Sequence, residues 1–278
     1  MERVARRSPD VTPKLFDRAV FAARQKSAAA KGENVLLQIV AEELTGRLAL
    51  IKRTFAAPCV IGPDPEYFIR RLNFATATAI EVQANDTLPF ERTRHDAIFS
   101  LLDLHAVNDV PGYLAQIARA LKPDGLFIAC LFAGETLTEL RQSWYAAETA
   151  ALGGVTPRVA PMIDVRELGG LLQRAGLALP VADIDRHVVR HADPLSLMRE
   201  VKSLGLSNCL SERSRKPVTR GLLLNAAQHF AERFSDGDRR TRAIIELAWA
   251  TAWSPHKSQQ KPLKPGSARM RLSDILKP

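Results

Sequence analysis

The chain has 278 residues, of which 46% are apolar, enough to bury one α/β core with additions and to make metals or disulfides unnecessary for stability. Its formal charge of +9 favours an acidic partner, whether nucleic acid, anionic lipid or an acidic protein surface, without choosing among them. No apolar run approaches the roughly 20 residues that span a bilayer, and the basic start at Arg3, Arg6 and Arg7 leads into no hydrophobic segment.

In chain order, 15–30 is a basic, alanine-rich helix candidate, and Leu36, Ile39, Val40, Leu44, Leu48 and Ile51 recur at helical spacing. We group these as an N-terminal helical segment, 1–55. The apolar run 57–61 meets Gly62, Pro63 and Pro65, as a buried strand ending in a turn would. Further extended runs at 78–83 and 96–102 follow, the latter ending at Asp103 and His105. The next helix, 111–121, has Asn108 and Asp109 available as caps and Pro111 in its first turn. Pro123 and Gly125 stop it ahead of a strand at 126–131. Thr136 with Glu139, and Asp164 with Glu167, read as capping boxes opening two helices.

From 180 to 191 the pattern has period two, with Ile184 and Val188 on one face and Asp183, Asp185 and His187 on the other, which predicts a strand with one wet, acidic face. The i, i+4 pair His187 and His191 therefore lies along a strand about 13 Å apart, and we assign no metal site. A helix from Pro194 to Gly205, another at 218–234 and a final apolar run at 243–253 complete the domain, 56–253. A basic tail, 254–278, carries Lys257, Lys261, Lys264, Arg269 and Arg271 and reads as solvated. Cys59, Cys130 and Cys209, odd in number and mostly in apolar surroundings, read as reduced core thiols, which places the protein in the cytoplasm.

Alternating strands and helices predict a mostly parallel sheet with helices on both faces and an antiparallel edge at the C-terminal end. Small ligands of such sheets bind beyond the carboxyl ends of the strands, here at the turns after Ile61, Gln83 and Leu102.

Those turns carry a family likeness. The segments 88–90 (LPF), 96–98 (DAI), 104–109 (LHAVND) and 121–127 (LKPDGLF) resemble the middle motifs of class I S-adenosylmethionine (SAM) dependent methyltransferases. The blocks 136–142 (TLTELRQ), 153–161 (GGVTPRVAP), 171–176 (LLQRAG), 204–209 (LGLSNC) and 256–260 (HKSQQ) resemble the branch of that superfamily that assembles respiratory complex I, NADH:ubiquinone oxidoreductase. The resemblance implies a Rossmann-like class I methyltransferase fold, a SAM site, and modification or chaperoning of a peripheral-arm subunit; a mitochondrial member is associated with arginine hydroxylation. It places candidate cofactor contacts at Gly62, Asp64, Asn85, Asp86, Leu102 and Asp103, and catalytic candidates at His105 and Asn108. Read locally, His105 is a helix-entry residue and Asn108 a cap.

The chain also departs from the family. After the first strand, the family's acidic residue and glycine-rich turn are replaced by Val60, a single glycine, Gly62, and two prolines that lack N–H donors. Between Gly62 and Leu88 there is room for one helix and one strand where the family pattern needs two of each, so one strand is expected to be missing. Ala84 stands where an adenine-contacting acid would be. These departures argue against SAM binding and leave two functions in view: an assembly factor that modifies a complex I subunit, or a cofactor-free module that holds a partner subunit or pairs with an intact paralogue. Nucleic-acid binding through the basic tail ranks below both. For partner recognition we single out the surface around Arg141, Trp144, Pro157, Arg158 and Pro161: the stiff loop 156–161 offers a guanidinium fork, and Trp144 is either an aromatic anchor or core at helical spacing with Leu137 and Leu140.

Overall fold

The computed structural model describes residues 14–32 and 34–260; the tail bases Lys261, Lys264, Arg269 and Arg271 lie outside them. Two helices come first, α1 (Arg18–Ala29) and α2 (Val35–Ala49), each opened by a side chain that accepts a free N–H of the first turn, Asp17 from Val20 and Asn34 from Leu37. There follow β1 (Pro58–Gly62), α3 (Pro65–Arg71), β2 (Thr78–Glu81) and β3 (His95–Leu101). A single 3-10 turn (Leu104–Ala106) leads to α4 (Val110–Ala120) and β4 (Leu121–Phe132). The C-terminal half comprises α5 (Thr138–Leu152), α6 (Val165–Arg174), β5 (Ala178–His191), α7 (Pro194–Ser203), α8 (Arg220–Phe234) and β6 (Thr241–Trp253).

The six strands form one sheet in the order β2-β1-β3-β4-β6-β5. The first four run parallel, and β6 is antiparallel to both β4 and β5, which gives the expected antiparallel edge. Only α3 and β2 separate β1 from the segment leading to Leu88, so the short spacing there does cost the sheet a unit, and β2 is the edge.

Both faces are covered. Tyr113, Leu114 and Ile117 of α4, with Leu168 and Leu172 of α6, lie on Ile98, Phe127 and Ala250. On the other face Leu37, Val40, Ala41 and Leu44 of α2 join Tyr67 and Phe68 of α3 over Val60, Phe99, Ile128 and Trp249. The helix α2 is thus part of the sheet's own core. A third cluster joins α5, α7 and α8 through Leu140, Trp144, Leu197, Ala226 and Phe230.

Two local expectations are corrected. Thr136 does not cap α5: Leu137 holds the cap position in the left-handed conformation (φ 55°), with no side-chain capping bond. The Thr136 hydroxyl instead accepts the Glu246 N–H (2.9 Å), and the buried Glu139 carboxylate accepts the Ile244 N–H (3.2 Å), because β6 runs past this helix start with free donors to satisfy. In β5 the alternation is as expected but its sides are reversed. Ile184 and Val188 are exposed (37% and 56%), while Asp183 and Asp185 turn toward α2. Arg47 reaches both carboxylates, Asp183 at 2.5 Å and Asp185 at 2.9 Å, and lies 4.6 Å over the Trp249 ring. An arginine fork over an aromatic face explains why the acidic side lies along α2, its carboxylates still 43% and 42% exposed.

Leu44 is fully buried in the α2 layer. Leu44→Ala should lower unfolding free energy by about 2–5 kcal/mol. A urea titration followed by far-UV dichroism should keep a single transition, because α2 shares the sheet's core.

Candidate functional site

The carboxyl ends of β1 and β3 converge where a ligand of this fold would sit. Gly62 is required there by its neighbour, since a Cβ would stand 2.6 Å from the Leu101 carbonyl oxygen. Asp64 accepts the Tyr67 N–H and so caps α3. Leu102, at φ 54°, donates its N–H to the Cys130 carbonyl (2.7 Å) and turns Asp103 inward. There Asp103, fully buried, accepts from Arg18 Nη1 (2.7 Å) and from the Tyr113 hydroxyl (2.5 Å). Burial, reinforced by Asp103, pushes the Tyr113 phenol well above its usual pKa, so it stays a donor. Asp86 accepts the Asn108 and Asp109 N–H groups (3.2 and 3.0 Å), and its other oxygen lies 3.5 Å from Arg18 Nε. Asn85 accepts the Thr87 N–H in an exposed turn.

The predicted cofactor residues are therefore neighbours, and Asp103, Asp64 and one Asp86 oxygen are engaged within the chain, while Arg18 Nε and Nη2 and the other Asp86 oxygen are buried without a hydrogen-bond partner. Arg18, only 4% exposed, bonds to Asp103 there, and a small void between Gln25, Asn34, Pro63, Asp64 and Leu102 measures about 10 Å³. Small-molecule pockets usually measure about 300–1,000 Å³. With Val60 buried in place of an acid and Pro63 in the turn, the residues present do not fit SAM.

Beside the closed seat lies a cavity of about 540 Å³ among α1, α2, α5, α7 and the ends of β4 and β6. His105 lines it, edge-on to Phe21 (5.4 Å) and Phe132 (4.9 Å). Burial lowers its pKa to about 4, so the ring is neutral at ordinary pH. Asn108, the other catalytic candidate, is tied to the backbone of Phe16 at both its N–H and its carbonyl (2.8 and 3.1 Å). His187 and His191 also face the cavity and approach Glu43 (3.0 Å) and Glu200 (3.3 Å) respectively.

The methyltransferase domain family Methyltransf_11 matches residues 53–129. Arginine-hydroxylase NDUFAF5, mitochondrial, of Rattus norvegicus is 33% identical over 287 aligned positions, covering 94% of this chain and 83% of the relative. The chain belongs to the NDUFAF5 branch of the methyltransferase superfamily, the branch of complex I assembly factors. The Danio rerio protein of the same name is 39% identical over 190 positions, covering 68% of this chain and 59% of the relative. Among solved structures, the YcgJ protein of Bacillus subtilis aligns with a TM-score of 0.48 at 11% identity, covering 77% of this chain and 99% of that one.

The residues singled out for recognition in this NDUFAF5-branch protein divide by environment. Pro157 and Pro161 are exposed. Trp144 is not a free anchor; at 8% exposure it forms part of the cavity wall, because α5 turns this side toward α7 and α8. Arg158 stacks on it at 4.6 Å and is bound to the fully buried Glu148 carboxylate at 2.5 Å. Arg141 donates to the Ala160 carbonyl (3.1 Å). Arg18, Tyr113 and Glu148 were not among the sequence candidates. Glu148 was detectable in principle, since it stands four residues from Trp144 on one helix side, and a carboxylate on a buried side requires a partner.

Burial acts to raise the Glu148 pKa, but hydrogen bonds from Thr156 and Arg158 outweigh it and hold the carboxyl below its usual range. Arg158→Ala should therefore destabilise the fold by about 3 kcal/mol, since it strands a buried charge. A carboxyl whose folded pKa is depressed stabilises above its unfolded pKa, about 4.3, and that contribution is lost as pH falls through the folded value. Chemical denaturation as a function of pH should show wild type losing this increment on acidification and Arg158→Ala lacking it.

Proposed function

We propose that this protein serves complex I assembly by holding a subunit or a subunit precursor, without SAM chemistry. The observation that carries this reading is the Arg18–Asp103–Tyr113 cluster, which places the chain's own side chains where the fold would seat a cofactor. The name of the mammalian and fish relatives points to arginine hydroxylation, and the walls of the adjoining cavity favour holding over that modification. A guanidinium entering it would meet one carboxylate, Glu200, which is half exposed and already beside His191. An intact paralogue remains the second class of partner for the same surface.

The surface we assign to partner binding is the outer end of α5 and the loop that follows. Leu152 and Val155 are 65% and 53% exposed and continue into Pro157 and Pro161, whose fixed φ angles limit the entropy lost on docking. Arg158 and Trp144 support this loop from beneath. We place the action in the cytoplasm, in keeping with three free, buried cysteines; among the described residues no helix is long and apolar enough to cross a membrane.

Calorimetric titration with SAM and with its demethylated product should give no binding tighter than about 100 µM. A low-micromolar dissociation constant would overturn the cofactor-free reading. The double variant Leu152→Asp, Val155→Asp should lower capture of complex I subunits about tenfold and leave the melting temperature within a few degrees, as both side chains are exposed. Unchanged capture and normal complex I assembly would remove the loop from the interface.

A further inference from the structure

The closed seat and the open cavity beside it differ in chemistry, and the cavity has features of a site in its own right. Its volume of about 540 Å³ lies within the range of small-molecule pockets. Phe21, Phe132 and Trp144 supply stiff walls, while Met162 and Met198 supply adaptable ones. We infer that this cavity binds an uncharged, hydrocarbon-rich small molecule with one oxygen-bearing head group, the head meeting His105.

Charge balance within the wall supports an uncharged ligand. Arg158 is engaged by Glu148 and His191 lies beside Glu200, while His187 lies 3.0 Å from Glu43 although its buried Nε2 makes no hydrogen bond. Lys202 is exposed, so its ammonium stays at the solvent side with Val35 and Val218, where the cavity opens. A charged ligand group would lose its water in the interior and find no unpaired counter-charge, which is strongly unfavourable.

His105 supports the placement of the head. Its Nδ1 is buried without a hydrogen-bond partner, in a ring flanked by two aromatic side chains. A neutral imidazole offers one N–H and one lone pair, and buried polar groups of this kind are nearly always paired. A hydroxyl or carbonyl oxygen can accept from such a ring, and a hydroxyl can also donate to it. The body of the ligand then lies against Leu140, Met198 and Val201. Straight-chain acyl derivatives and isoprenoids share this chemistry.

Five probes separate these statements on the full chain, followed by equilibrium dialysis and thermal shift: dodecan-1-ol, farnesol, dodecanoate, dodecylamine and dodecane. One or both alcohols should bind about tenfold or more tighter than both charged chains and raise the melting temperature. Preference for dodecan-1-ol marks the straight-chain source, and preference for farnesol the isoprenoid one. His105→Phe should weaken alcohol binding about tenfold and leave binding of dodecane unchanged. Val201→Phe, or Met198→Phe if the first variant does not fold, should abolish binding by filling the cavity. The inference falls if no probe binds, if dodecanoate or dodecylamine binds as tightly as the alcohols, or if a folded, cavity-filled variant binds as wild type does.

Discussion

The buried ion pair between Arg18 and Asp103 joins the first helix to the carboxyl end of the sheet, and much of the surrounding structure is arranged around it. Both side chains are almost completely withdrawn from water, so removing either would strand a charge and cost about 3–5 kcal/mol. The pair does not hold α1 alone. Asp17 N–H donates to the Cys209 carbonyl, Arg24 to the carbonyls of Ser207 and Asn208, and Gln25 to that of Gly205. Gly205, at φ 72°, lets the chain pass so close to α1 that a Cβ would meet the Arg24 carbonyl oxygen at 2.9 Å. One helix thus closes the cofactor seat, anchors the 205–211 segment and contributes Phe21 to the cavity wall.

The same arrangement shows which parts of the fold are held by packing alone. The parallel strands, the caps of α3 and α4 and the sharp turn at Leu102 are needed for packing whether or not a ligand is present. The family's acid at the end of β1 and the further glycines of its turn have no such structural duty here, whereas Gly62 and Asp64 keep theirs in packing and capping. Val60 packs there without strain, and Asp64 and Asp86 serve as caps for N–H groups of the chain itself. What the fold then presents outward is a proline-bearing loop stiffened from below by Arg158, Trp144 and Glu148, a geometry suited to contact with another protein.

Much of the fold was legible in the sequence because the deciding signals are local. Asp109 with Pro111, Asp164, and Asp193 with Pro194 each mark a helix start, and the period-two run before His191 marks a strand. The missing strand could be read from the short spacing between Gly62 and Leu88. The candidate site was legible only in part, since its decisive contacts are long-range. Nothing in a basic, alanine-rich helix signals that Arg18 will meet Asp103, 85 positions away. Thr136 shows the same limit: it has the spacing of a capping box, yet its hydroxyl bonds to β6, which a local rule cannot anticipate. Helical spacing with Leu137 and Leu140 already allowed Trp144 to be core, whereas nothing local signals that Arg158 is turned to the buried Glu148.

The reversed sides of β5 have a consequence for strand alignment. Sliding an edge strand by one residue sends every side chain to the opposite face, and apolar patterning normally opposes such a slip. In β5 that opposition is weak, because Ile184 and Val188 already point to solvent and only Val189 on the other side packs inward. The slip would carry Asp183 and Asp185 away from Arg47, and His187 away from Glu43. Electrostatic pairing to α2, acting as a pin, therefore selects the alignment that hydrophobic burial leaves open at this edge of the sheet.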